Sequence, residues 1–86
     1  MPYITSFEKI ARQEGRQEGR QEGLLHEARE GVLEVLEARF GEVPYALREQ
    51  VLAVADPAEL KRHLRQAVLV PDLPAFEHAL AQSKAA

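Results

Sequence analysis

Residues 12–23 spell RQEG three times without interruption, and the repeat runs on into a helical pattern with no new start signal. On a helix each four-residue unit advances roughly 40°. Arg12, Arg16 and Arg20 therefore form one slowly drifting stripe, and Glu14, Glu18 and Glu22 form another nearly opposite. Every charge pair four residues apart inside the repeat is like-signed, which destabilises a lone helix by about 0.2–0.5 kcal/mol per pair. Gly15, Gly19, Gly23 and Gly31 each cost about 1 kcal/mol against alanine. Together they remove on the order of 4 kcal/mol from a domain whose whole stability is about 5–15 kcal/mol.

A second copy of the helix offsets both penalties. A stripe of glycines four residues apart permits close backbone approach, the steric logic of small-residue helix pairs. Arginine flanks that stripe on one side and glutamate on the other. In a parallel two-fold pair, opposite flanks face each other, so arginines of one copy meet glutamates of the other; an antiparallel pair opposes like flanks. The expectation is a parallel homodimer whose contact comprises the glycines Gly15, Gly19 and Gly23 with Arg12, Arg16, Arg20, Glu14, Glu18 and Glu22, continued by Leu25, Val32 and Leu36. A period near four tilts the supercoil toward the right-handed sense. The competing reading is a repeat expanded by replication slippage that forms a solvated arm, with dimerisation left to the apolar face from Leu24 onward.

Thr5 followed by Glu8 forms a capping box, and Gly41 with Pro44 beyond it is a stop signal, so one helix is expected over about residues 6–40. Its second half carries Leu24, Leu25, Ala28, Val32, Leu33, Val35, Leu36 and Phe40, a wide face that the rest of the chain must cover. Pro44 as a first-turn residue starts a second helix to about Ala55, with Tyr45, Leu47, Val51, Leu52 and Val54 supplying its apolar face. Asp56, Pro57 and Glu59 open a third, in which Leu60, Leu64, Ala67 and Val68 recur at helical spacing toward Val70. Pro71 ends it, and Asp72 caps a short last helix carrying Leu73, Phe76 and Leu80 on one face. No stretch alternates with period two and no hairpin turn occurs, so the class is all-α. The expected organisation is an arm over residues 1–23, a small bundle over 24–82 whose first helix continues the arm, and a frayed tail over 83–86.

An 86-residue chain is one small domain that gains from a partner subunit. Eleven Lys and Arg against fourteen Asp and Glu leave a net charge of −3, which gives no global footprint for nucleic acid or anionic lipid. The absence of cysteine excludes disulfides and thiolate metal sites. The longest uninterrupted apolar run is only residues 67–70, and Met1-Pro2-Tyr3 is not the basic-then-apolar start of a signal peptide. A cytoplasmic protein without a membrane partner is the expectation.

The stretches TSFEKIARQEGRQEGRQEG, LEARFGEVPYALREQV, DPAELKRHLRQAV and DLPAFEHAL, in that order, resemble the C-terminal helical region of bacterial PD-(D/E)XK-type transposase-related proteins, the recombination-promoting nuclease group. The resemblance covers nearly the whole chain and rests on the repeat, the RFGEVP break and the helices after it. It implies an accessory domain of a DNA-cleaving protein, because in that family the nuclease site lies in a separate N-terminal α/β domain that these residues do not contain. The implied role is non-catalytic: to oligomerise the nuclease, or, made alone, to hold a full-length nuclease inactive in mixed complexes by mass action.

Other constellations are weaker. Glu59, Leu60 and Lys61 spell ExK, but they open a helix instead of lying on a strand beside a metal-binding Asp. Glu22, His26 and Glu30 share a helix face and could gather a divalent ion, although a surface histidine flanked by carboxylates explains them better. Lys61, Arg62, His63 and Arg65 form the densest basic patch, from which Lys61, Arg62 and Arg65 could contact a phosphate of nucleic acid. Two or three cations support only weak, salt-sensitive binding, and no aromatic platform lies beside them. Ser6, Ser83 and Thr5 lie at a helix start or in the tail, so no nucleophilic triad can be argued. The expectation is therefore neither an enzyme nor a cofactor or metal protein.

Overall fold

The computed structural model describes the backbone of residues 6–85 and the side chains of residues 16–83. Four helices follow one another, α1 (Ser6–Phe40), α2 (Tyr45–Leu52), α3 (Pro57–Leu69) and α4 (Leu73–Ala85), and no strand occurs among the described residues. The all-α class and the single long first helix are as the sequence pattern implies. The capping box at Thr5 lies outside the described residues. At the other end of α1, Gly41 takes φ +85°, a conformation that L side chains resist, and its N–H donates to Glu37 O at 2.9 Å. The chain can thereby turn back on itself.

Two aspartates start the later helices. Asp56 accepts from Ala58 N at 3.0 Å with Pro57 in the first turn of α3, and Asp72 accepts from Ala75 N at 2.9 Å to cap α4. Pro44 differs from expectation: with ψ 144° it is the N-cap of α2 and not a residue of its first turn. Helix α2 also ends at Leu52, before the expected Ala55, so Val54 reaches the core from the loop. At the C-terminus α4 stays helical through Ala85, beyond the boundary expected near Gln82.

The core joins Val32, Leu33 and Leu36 of α1 to Leu47 and Val51 of α2, Leu60 and Ala67 of α3, and Phe76 and Leu80 of α4. Loop residues Val43, Val54 and Val70 seal its edges. Four residues of the expected apolar faces are exposed, the first of them Leu24 at the start of the α1 face. Tyr45 is 76% exposed because it sits roughly 140° around α2 from the Leu47–Val51 edge. Leu64 and Val68 are exposed because α3 presents Leu60, His63 and Ala67 inward, a face rotated about 50° from the one expected. Arginines of α1 tie the loops down: Arg29 Nε donates to Val54 O at 2.8 Å, and Arg39 Nη1 donates to Ala67 O and Val70 O, both at 2.7 Å. Arg39 thus satisfies carbonyls at the end of α3, where a cation is also favoured by the helix dipole.

With everything after residue 40 folded against the second half of α1, the first half projects. The radius of gyration is 17.6 Å and the extents are 62 × 28 × 20 Å, against about 12 Å for a compact chain of this length.

Candidate functional site

The side chains of residues 16–24 are all exposed, and none of them belongs to the core. Gly19 and Gly23 face open space, where an added Cβ would meet no atom within 4 Å. Arg16, Arg20, Glu18 and Glu22 are exposed, and the ion pairs among the described residues, Arg48 with Glu37 and Arg62 with Glu59, lie outside the repeat. For Arg12, Glu14 and Gly15 the helical backbone is described and the side chains are outside the described residues.

The continuation of the expected interface needs correction. Leu25 is half-buried against the core, but Val32 and Leu36 are 0% exposed beneath the later helices. A side chain with no surface left cannot meet a second copy, so these two belong to the fold of one chain.

A different strip of α1 remains uncovered where the arm meets the body. Leu24 is 63% exposed, and Ala28, Gly31 and Val35 follow it at spacings of four, three and four residues, each half-buried. Beside them run Pro57, Ala58 and Leu64 of α3. The two helices enclose a pair of adjoining concavities of about 390 and 520 Å³ that share Ala28 and Pro57. A further shallow depression continues along α3 past Leu64 to Val68 and Leu69, bordered by Lys61 and Arg65. The result is an apolar groove with charged rims, the kind of surface that marks an interaction site. Its signal was present in the sequence as the alternation of three and four residues through Leu24, Ala28, Gly31 and Val35, masked by the broader apolar face around it.

The basic patch loses a member. His63 is 4% exposed and turns its ring edge-on to Phe76, with centroids 6.3 Å apart. Burial pushes its pKa below the usual histidine value; Glu59 opposes that shift and Arg62 adds to it. Arg62 itself lies 4.0 Å from Glu59. Lys61 and Arg65 stand exposed one turn apart, flanking the groove. Glu59 and Lys61 sit in the first turns of α3, away from the strand setting a nuclease ExK requires. His26, Glu22 and Glu30 are exposed, and no group of three potential metal ligands occurs among the described residues. No helix among them is long and apolar enough to cross a membrane. Comparison with known proteins gives no matching family model and no similar curated protein or solved structure.

Proposed function

We propose that this chain is a non-catalytic self-association module, built to join two copies through α1. The observation that carries the reading is the uncovered arm leading into an uncovered apolar groove: residues 16–24 make no core contact, and Leu24, Ala28 and Gly31 continue α1 along the groove wall. An isolated helix of the arm's length is marginal in water, the more so with its glycines and like-charge pairs, so a partner is what would hold it. The nuclease context rests on the sequence resemblance alone. In a longer relative such a module would set two catalytic domains at a fixed spacing, and as a free chain it would compete for that partner by mass action.

Sedimentation equilibrium across a concentration series tests the reading. The expected mass at micromolar concentration is twice the chain mass of 9.6 kDa. A single-chain mass at every concentration contradicts it.

A further inference from the structure

The groove is rimmed by charges of opposite sign. Glu27 of α1 and Lys61 of α3 border the same concavity from its two walls. Further along each wall stand Glu34, seven residues after Glu27 and so nearly in line with it, and Arg65, one turn after Lys61. All four are exposed, and the ion pairs among the described residues involve none of them. The two walls run in the same direction. Pro57 at the start of α3 lies by Leu24 and Ala28, while Arg39 at the end of α1 reaches the carbonyls of Ala67 and Val70.

Leu24, Ala28, Gly31 and Val35 of α1 follow one another at the four-three-four spacing of a coiled-coil seam, which Gln21 and Gln17, both exposed, prolong into the arm. Ala28 and Gly31 let a second helix come close, and an added Cβ at Gly31 meets nothing of its own chain within 4 Å. Glu27 and Glu34 occupy one flank of this seam. The other flank, Leu25 and Val32, is turned to the chain's own core, so on that side α3 is what a partner meets. In a parallel pair each flank faces the opposite flank of the other helix. The glutamates of one copy therefore come against α3 of the other, and a two-fold axis along the helices keeps them level with its Lys61 and Arg65 rim. An antiparallel pair opposes like flanks and brings glutamate against glutamate. In the arm, Arg20 and Glu18 also fall on opposite flanks, so the parallel pair sets the arginine flank of one helix beside the glutamate flank of the other. Gly19 and Gly23 lie roughly 100–150° around α1 from the seam, outside the contact.

Resting on the self-association reading above, we propose that two copies pair in parallel, α1 of each lying in the groove of the other, with Ala28 and Gly31 meeting their own counterparts and Glu27 and Glu34 facing Lys61 and Arg65 of the partner subunit. The four layers from Leu24 to Val35 span only roughly 17 Å, so the arm's continuation of the seam is needed to hold the pair.

Charge exchange in the full-length protein, followed by sedimentation equilibrium, tests the contact. Lys61→Glu with Arg65→Glu should weaken association at least about tenfold, Glu27→Lys with Glu34→Lys should do the same, and the four changes together should restore it to within about threefold of the native chain. All four side chains are exposed, so circular dichroism should show every variant folded. Association unchanged by either pair of changes, or unrestored by the four, overturns the proposal; it then leaves α3 out of the interface. Orientation is read separately. The chain has no cysteine, and Leu24→Cys chains, oxidised and resolved without reductant, should form a covalent dimer. In an antiparallel pair on this seam the two cysteines lie roughly 17 Å apart along the helices, beyond the reach of a disulfide. A dimer by mass with no covalent product therefore overturns the parallel arrangement. A single-chain mass for the unmodified protein overturns the self-association reading itself.

Discussion

Replacing Gly19 and Gly23 together by alanine separates the two ways in which α1 could pair. Both residues are helical, and an added Cβ at either meets no atom within 4 Å. Within one chain the substitution therefore acts on helix propensity alone, about 1 kcal/mol at each position. Two such gains shift the arm's helix–coil equilibrium by roughly thirtyfold toward helix, a change visible in far-UV circular dichroism. Association responds according to where the seam lies. With the seam on the groove side of α1, where Leu24, Ala28 and Gly31 lie, the methyl groups sit outside the contact, and binding holds or tightens. The limit is about 4 kcal/mol per dimer if the arm orders only on pairing, with both arms gaining. With the seam on the glycines, the methyls separate the backbones and binding falls even as helicity rises. Sedimentation equilibrium and circular dichroism on the same samples give both quantities. A dissociation constant raised more than about tenfold, together with increased helicity, would place the seam on the glycines and refute association through the groove side.

Three other outcomes follow from the bundle. Phe76 is 0% exposed and anchors α4, so Phe76→Ala should cost about 3–5 kcal/mol and lower the melting temperature by about 15–30 °C in calorimetry; a drop under about 5 °C would show that α4 lies outside the cooperative core. His63 is held neutral by burial, its pKa lowered from 6.5. Unfolded chains then take up a proton that the folded state resists, so stability is full above about pH 6.5 and falls as the pH drops toward the lowered folded value. Urea midpoints between about pH 7.5 and 5.5 should fall for the native chain and fall less for His63→Leu, and parallel profiles would sink the assignment. Gly41 takes φ +85° with open space around it, so Gly41→Ala should cost about 1–2 kcal/mol from the backbone alone, with Gly41→Asn recovering part of that in the same urea titrations.

The helices were legible because their boundaries are written in strong local chemistry. Gly41 supplies the positive φ that a turn needs, and Asp56 and Asp72 each sit one residue before a helix they cap. The faces were less legible. In α3, Leu60, Leu64, Ala67 and Val68 look like a better apolar stripe than the one used, because counting hydrophobic residues leaves His63 out of the core. Once Phe76 offers the ring an apolar neighbour, His63 can be buried neutral, and the helix rotates to expose Leu64 and Val68. Composition likewise drew Val32 and Leu36 into the expected interface, where only the packing of α2 to α4 shows that one chain already uses them fully. The groove depends on the relative placement of α1 and α3, a tertiary fact that no single segment encodes. Arg29 and Arg39 carried no sequence signal of their role, since their acceptors are backbone carbonyls more than twenty residues away.

If α1 joins two copies through its arm, removing the arm abolishes the dimer, which sedimentation equilibrium of a chain beginning at Leu24 beside the full chain measures. The core begins at Leu25, so the shortened chain keeps every residue of the bundle while losing the arm. The full chain is expected at twice its 9.6 kDa mass, and the shortened chain as a single copy that melts cooperatively. A shortened chain that still dimerises with undiminished affinity would remove the arm from the interface, and a full chain that stays single would remove the interface altogether.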